Sequence, residues 1–98
     1  MKWSRFRIRF GFEWYIKASD SHSDFVVYGE RGLFAFEIKR SRSISRYDLK
    51  GLKAFLNDYD IAKCYLFYGG DHEEYHDTIH VMPTTQALLQ LREIFGIA

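Results

Sequence analysis

The chain has 98 residues, which is one domain's worth, so residues 1–98 are predicted to form a single domain. Its composition is 47% hydrophobic and 18% aromatic, which excludes a disordered chain. The formal net charge of +1 excludes a strong overall attraction to nucleic acid or to an anionic membrane. No apolar run approaches the roughly 18 residues of a membrane span, and the single Cys64 has no disulfide partner. We therefore expect a soluble cytoplasmic protein with no membrane contact and with Cys64 packed in the core.

Charge is distributed unevenly along the chain. Residues 39–53, the basic segment, carry six basic residues and one acid, whereas residues 71–77 carry four acids and no lysine or arginine. The sequence therefore predicts a molecule with one basic and one acidic region.

The first half of the chain has the pattern of three strands. Residues 12–18 alternate loosely between apolar and polar side chains and precede a turn-forming cluster. Residues 24–28 and 33–39 are rich in β-branched and aromatic residues, and the short glycine-bearing turn between them favours a hairpin. Both faces of the second hairpin strand are apolar up to Phe36, so this strand is predicted to lie inside the sheet with a layer on each side.

Residues 45–59 change to a helical period. Ser45 is the predicted N-cap, and Asp48 occupies the capping-box position three residues later. The pattern predicts an amphipathic helix. The apolar stripe consists of Leu49, Leu52, Phe55, Leu56 and Tyr59.

Two strands and a helix complete the predicted order. Residues 62–68 and 78–82 have strand composition, and the second of these strands ends at Pro83. Thr84 or Thr85 is predicted to cap the last helix. The apolar residues of that helix are Ala87, Leu88, Leu91 and Ile94. A helix between two strands allows a right-handed crossover, so the predicted fold class is α/β, with a mixed sheet of about five strands flanked by helices in the order β-β-β-α-β-β-α.

Polar side chains interrupt the apolar hairpin at one end. Glu37 and Lys39 are two positions apart on a predicted strand, so both leave the same face. A hairpin that pairs Tyr28 with Leu33 pairs positions whose numbers sum to about 61, which sets Asp24 opposite Glu37. Two facing carboxylates repel each other, and a divalent cation removes that conflict. Because Mg²⁺ and Mn²⁺ prefer carboxylate, water and phosphate oxygens, Asp24 and Glu37 are the predicted metal ligands.

Two interpretations of Glu37 and Lys39 differ in their consequences. An exposed ion pair contributes only about 0 to 1 kcal/mol and needs no function. A strand that is apolar on both faces makes that interpretation less favourable, because covering a charge costs several kcal/mol unless it is compensated. In the functional interpretation Lys39 orients a water molecule or stabilises charge that develops on a phosphoryl group.

The order of these residues resembles the PD-(D/E)xK phosphodiesterase motif. Asp24 is followed by a strand, a turn, Glu37-Ile38-Lys39, a basic segment and a helix, and Ser23 stands where the motif's name has proline. The runs Ser-Asp-Phe-Val-Val-Tyr-Gly, Phe-Glu-Ile-Lys-Arg-Ser and Asp-Leu-Lys-Gly-Leu-Lys-Ala-Phe also resemble the domain that follows the ATPase domain in many prokaryotic AAA-type ATPases. The resemblance covers roughly residues 12–91.

The resemblance implies a restriction-endonuclease-like fold with Asp24 and Glu37 as metal ligands and Lys39 as the catalytic lysine. The implied activity is Mg²⁺- or Mn²⁺-dependent hydrolysis of DNA phosphodiester bonds. The alternative is a non-catalytic accessory or partner-binding domain of an AAA-type ATPase. The family's first helix, which contributes a glutamate, has no evident counterpart in residues 1–11; a fragment of a longer ATPase that lacks this helix is one interpretation that stays open.

The basic segment supplies candidate contacts to nucleic acid. Its cations lie just after the predicted site, where a bound DNA backbone would pass. The candidate residues are Arg40, Arg42, Arg46 and Lys50. An ordinary charged loop and helix face is the alternative.

Two further patterns are predicted to be structural. Residues 72–76 match the H-E-x-x-H pattern of zinc proteases, but that pattern requires a helix. Gly69-Gly70 before it, and a strand from Thr78, leave no room for one; with only His80 as a further ligand, a solvated acidic loop is predicted. Aromatic residues in the strands are interpreted as core rather than as a base-stacking surface. They are Trp3, Trp14, Tyr15, Tyr65, Phe67 and Tyr68.

Overall fold

The computed structural model describes residues 4–7, 13–18, 25–29 and 32–96. These residues form one mixed sheet of seven strands with helices on both faces. The strands are β1 (Ser4–Arg7), β2 (Glu13–Ala18), β3 (Phe25–Gly29), β4 (Gly32–Ile38), β5 (Lys63–Tyr68), β6 (Glu74–His76) and β7 (Ile79–Pro83). The α-helices are α1 (Lys50–Asp58), preceded by a 3-10 turn (Arg46–Leu49), α2 (Thr84–Leu89) and α3 (Leu91–Ile94).

The sheet has the strand order β1-β2-β3-β4-β5-β7-β6. Strands β1 to β4 form an antiparallel meander, β4 and β5 are parallel, and β5 and β7 are parallel. The crossover through α1 produces the first parallel pair, as predicted. The predicted α/β class, a mixed sheet flanked by helices, is therefore confirmed, and the short outer strands β1 and β6 add to the five strands predicted.

The β3–β4 hairpin has the predicted register. Tyr28 pairs with Leu33, and Phe25 pairs with Phe36, so paired positions sum to 61. Gly32 has a φ of 131°, a conformation that favours glycine, and it begins β4. The register thus fixes which residues of the two strands face each other.

Strand β4 is buried on both faces, because side chains alternate between two cores. The first core lies under α1 and includes Val26, Ala35, Leu49, Leu52, Leu66 and Val81. The second lies under α2 and α3 and includes Val27, Phe34, Phe36, Phe67, Met82 and Ala87. The two-layered covering predicted for β4 is therefore confirmed.

Cys64 is part of the first core, as predicted. Its side chain is 2% exposed. Burial raises the pKa of the Cys64 thiol to about 11. The residue therefore behaves as a small apolar side chain.

The predicted capping box starts the central helix. The Ser45 amide donates to the Asp48 carboxylate at 2.8 Å. The first turn is 3-10, and the α-helix begins at Lys50. Tyr59, predicted for the apolar stripe, is 52% exposed because it follows the helix, where its ring packs on that of Phe55 with centroids 4.8 Å apart.

The last helix differs from its prediction. It is divided at Gln90 into α2 and α3, and the Gln90 amide points to the carbonyl oxygens of both Gln86 and Ala87 at 3.1 Å. Leu88, one of the four apolar residues given for the predicted helix, is 64% exposed. The break lets Phe95 pack on Phe34, with ring centroids 5.0 Å apart.

Thr84 is one of the two residues predicted to cap this helix, but it does not occupy the N-cap position. It is the first helical residue, and Pro83 occupies the N-cap position. The Thr84 hydroxyl instead donates to the carbonyl oxygen of Tyr68 at 3.1 Å, which ties the start of α2 to the end of β5.

Candidate functional site

Glu37 and Lys39 lie at the carboxyl end of the central strand β4. Glu37 is the sixth residue of the strand, and Lys39 follows its last residue. Both side chains are half-buried. They line one cavity of about 330 Å³ together with residues of the 3-10 turn and α1. We call it the Glu37 cavity; its other lining residues are Tyr47, Asp48, Lys50, Gly51 and Ala54.

The helical side of the Glu37 cavity follows a stripe that sequence analysis did not single out. Positions 47, 50, 51 and 54 are spaced as neighbours on one helix face, next to the apolar stripe that contacts the sheet. Gly51 and Ala54 have small side chains, and so leave space between α1 and the end of β4. A search for small residues at helical spacing beside the apolar stripe would have found this face.

The two carboxylates of the cavity have different surroundings. Oε2 of Glu37 is buried. The Asp48 carboxylate accepts a hydrogen bond from the Ser45 amide at 2.8 Å and lies 3.3 Å from the Ser45 hydroxyl. The Asp48 carboxylate therefore caps the helix. The Glu37 carboxylate is the other one that lines the cavity, and it belongs to the central strand β4.

The predicted DNA-binding residues surround the cavity unequally. Lys50 lines it with Glu37 and Lys39. Among the described residues, Arg40, Arg42 and Arg46 do not line the cavity but are exposed on the chain that leads from β4 into the 3-10 turn. The cations thus extend from the cavity over the neighbouring surface.

Close backbone packing fixes the path of this chain after β4. The Lys39 amide donates to the carbonyl oxygen of Phe67 at 2.8 Å, so pairing with β5 continues past the end of the strand. A Cβ on Gly70 would stand 2.7 Å from the carbonyl oxygen of Arg42. The Ser41 hydroxyl donates to the carbonyl oxygen of Ser43 at 2.6 Å and closes a turn. The backbone of residues 39–43 is therefore held in one position.

One protein-family model, described as "Domain of unknown function (DUF4143)", matches residues 7–87. The chain belongs to the DUF4143 family. Domains of this family are commonly found in the C-terminal regions of AAA-type ATPases, which agrees with the second resemblance seen in the sequence. Comparisons with curated proteins and with solved structures found no match.

Asp24 of this DUF4143 domain lies outside the described residues. The described hairpin begins one position later, at Phe25, which pairs with Phe36. The position of the Asp24 carboxylate relative to Glu37 and its role as a metal ligand therefore stay predictions. In the part of the chain that is described, no group of three or more His, Cys, Asp or Glu side chains is arranged to hold a metal ion.

As predicted, the H-E-x-x-H segment of the DUF4143 domain does not form a helix. Part of it, however, forms a strand instead of a loop. Residues Glu74–His76 form β6, which pairs with β7. Glu73 accepts a hydrogen bond from Gln86 at 2.9 Å and is hydrogen-bonded to Nε2 of His80. The prediction of a solvated loop was wrong for β6, because the backbone groups that β6 turns toward β7 pair with that strand.

The strand aromatics of the DUF4143 domain are core residues where the structure describes their side chains. Phe67 is 6% exposed and Tyr68 is 5% exposed, and Tyr65 is half-buried beside Phe36. Trp3 and the side chains of Trp14 and Tyr15 do not belong to the part of the chain that the structure describes, so their prediction stays a prediction. Among the described residues, no helix is long and apolar enough to cross a membrane.

Proposed function

We propose that this DUF4143 domain is a cytoplasmic nuclease domain that hydrolyses DNA phosphodiester bonds with the help of Mg²⁺ or Mn²⁺. The observation that carries the proposal is the shared position of Glu37 and Lys39, half-buried in one cavity at the carboxyl end of the central strand. Ligands of open α/β sheets bind beyond the carboxyl ends of parallel strands, and β4 is parallel to β5 there.

Asp24 is the proposed second carboxylate. In the β3–β4 register, paired positions sum to 61, so pairing extended by one residue sets position 24 opposite Glu37. Facing side chains of adjacent strands are near enough for two carboxylates to repel each other and to share one cation.

The residues fit a hard divalent ion. Glu37 offers carboxylate oxygens to a cavity of about 330 Å³, and two carboxylates with water and phosphate complete the preferred set for Mg²⁺. When bound, the ion would supply Lewis-acid stabilisation of a phosphoryl oxygen.

Lys39 and the exposed arginines have separate proposed tasks. Lys39 lines the same cavity as Glu37, and its ammonium group would there orient a water molecule or stabilise negative charge on the phosphate. Lys50, on the opposite wall, contacts a neighbouring phosphate. Arg40, Arg42 and Arg46 hold the continuing DNA backbone, a contact that carries no base specificity.

Metal binding tests the site first. We expect isothermal titration with Mn²⁺ to show binding by the wild type and its loss in Asp24→Ala and in Glu37→Ala. Glu93→Gln is the matched control, because Glu93 is exposed on α3 at the other face of the sheet. Absence of binding by the wild type would contradict the proposed metal site.

Plasmid nicking tests catalysis. Nicking should require Mg²⁺ or Mn²⁺ and disappear in Lys39→Ala, because the ammonium group in the cavity is removed. Lys63→Ala is the control, since Lys63 is an exposed lysine at the amino end of β5, away from the cavity. Nicking that survives Lys39→Ala would point to a contaminant and not to this domain.

A second function is favoured by the family itself. Because DUF4143 domains are commonly found in C-terminal regions of AAA-type ATPases, the domain would serve as a non-catalytic accessory or partner-binding part of such an ATPase. A wild type that binds no metal and does not nick DNA, but that alters the ATPase rate or the partner binding of an attached ATPase domain, would favour this function.

A further inference from the structure

Tyr47 is an exposed aromatic ring at the edge of the Glu37 cavity. Its side chain is 77% exposed, although the ring also lines the cavity. The residue lies in the 3-10 turn whose position is fixed by the capping bond between Ser45 and Asp48. A large aromatic ring held at the surface by a rigid turn beside a cavity offers its apolar face to a ligand.

The charges around Tyr47 define which apolar ligand fits. Arg46 and Lys50, which are exposed cations, lie next to it and one helical turn after it in the chain, and Lys39 lines the same cavity. An aromatic ring between cations matches a polymer that alternates flat rings with anionic groups, which is the chemistry of a nucleic acid strand.

The geometry favours an unpaired nucleotide over a base pair. Bases inside a duplex are stacked on both faces, so an aromatic side chain reaches a base face only where the strand is single or frayed. Lys50 stands three positions after Tyr47 on the same helical stripe, and both residues line the cavity. A base stacked on Tyr47 would therefore have a cation and the cavity near its phosphates.

We propose that Tyr47 stacks on an unpaired base, so that this domain binds single-stranded nucleic acid or a single-stranded end next to the Glu37 cavity. The inference rests on the proposed function, because it identifies the substrate class of the same site. It adds a base-stacking subsite that the metal ligands and Lys39 do not provide.

Fluorescence anisotropy tests the subsite without catalysis. A labelled 12-nucleotide DNA strand and the blunt duplex of the same sequence are titrated with the domain in EDTA, so that no cleavage occurs. Wild type and Tyr47→Phe should bind the single strand with affinities within about twofold of each other. Tyr47→Leu should bind it about tenfold more weakly, because aromatic stacking on a base is lost. Affinity for the blunt duplex should change less than about twofold in all three proteins.

Tyr59→Leu is the matched control. Tyr59 is an exposed tyrosine beyond the opposite end of α1, 52% exposed, so its loss should leave single-strand affinity unchanged. Circular dichroism of each variant checks that the fold is retained. Equal single-strand affinity of Tyr47→Leu and wild type, or an equal loss for the duplex, would overturn the stacking proposal.

The two proposals fail separately in these experiments. A domain that binds single strands through Tyr47 but cleaves neither plasmid nor single-stranded DNA with Mg²⁺ keeps the stacking subsite and loses the proposed catalysis. If the wild type nicks DNA but Tyr47→Leu binds single strands as tightly as the wild type does, the proposed catalysis is kept and the stacking subsite is lost.

Discussion

Gly69 lies against the main chain of Arg40 so closely that a Cβ atom on Gly69 would stand 2.5 Å from the Arg40 carbonyl oxygen. The Gly69 amide donates to the carbonyl oxygen of Ser41 at 2.9 Å, and the Lys39 amide donates to that of Phe67 at 2.8 Å. The end of β5 therefore holds the chain that leaves β4. This contact directs Lys39 and the arginines that follow it.

Gly69→Ala is expected to lower the free energy of unfolding by about 1–3 kcal/mol, because backbone must move to admit the methyl group. Hydrogen exchange at the amides of Lys39 and of position 69 should become faster. Gly96→Ala is the control: Gly96 has a φ of 69° and no atom within 4 Å of an added Cβ. That change should cost backbone strain of about 1–2 kcal/mol without altering exchange at Lys39. Unchanged stability and exchange in Gly69→Ala would contradict the close contact.

Ala54→Leu is expected to fill the Glu37 cavity, because Ala54 lines its helical wall. Leucine is a good helix former, so α1 should remain stable by urea unfolding. If the cavity receives the scissile phosphate, the rate of metal-dependent nicking should fall on the order of 100-fold, since displaced reacting groups lose their alignment. Lys53→Leu is the control on the exposed side of the same helix. Full nicking activity in Ala54→Leu would exclude this cavity as the reaction site.

Asp48→Ala is expected to destabilise the domain by about 1 kcal/mol, because it removes the carboxylate that accepts the Ser45 amide at 2.8 Å. Asp58→Ala offers a comparison at the other end of α1. A negative charge near a helix C-terminus is unfavourable, so that variant should be unchanged or slightly more stable. Urea unfolding followed by circular dichroism measures both, and equal effects of the two variants would refute the capping role.

Cys64 is expected to resist thiol reagents in the folded protein, because its side chain is 2% exposed. Its pKa is raised by burial from 9.0 to about 11. The buried thiol therefore contributes stability below pH 9.0, and this contribution is lost as pH rises toward about 11, where the folded form also ionises. An aromatic disulfide reagent at about pH 8 should label the protein only after urea is added. Cys64→Ser supplies the unlabelled control, and rapid labelling of native wild type would contradict the burial.

Glu73 is expected to make stability depend on acidic pH. Its hydrogen bonds from Gln86 and then His80 hold the Glu73 pKa below its ordinary value of 4.5. A lowered pKa in the folded state means that the carboxylate stabilises the fold above pH 4.5 and that this contribution disappears as pH falls through the folded pKa. Urea midpoints of wild type and Glu73→Gln should therefore differ most near neutral pH and converge in acid. Glu74→Gln is the neighbouring control, and a difference for Glu73→Gln that is constant with pH would contradict the linkage.

Local patterns were sufficient to predict the central hairpin and the start of the central helix. Gly29 pairs with Gly32 in the register of β3 and β4, and alternation then assigns each side chain to a face. Ser45 and Asp48 are near neighbours in the chain, so their capping bond also follows from sequence. These features depend on residues only a few positions apart.

Other features depend on contacts between distant parts of the chain. Residues Glu74–His76 are polar, and they form a strand only because the edge of β7 offers its backbone groups. The last helix breaks at Gln90, where α3 turns so that Phe95 reaches Phe34. No local periodicity encodes either contact, because the partner is supplied by the assembled sheet.

The sequence by itself determined which face of the central strand carries Glu37, because side chains in a strand alternate with a period of two. Only the tertiary structure decided that this face opens into a cavity walled by Gly51 and Ala54, and that Tyr47 stands at its edge. The reason is physical: the position of α1 over β4 is set by packing of two distant apolar surfaces, and the space left where small residues meet the strand end exists only after that packing.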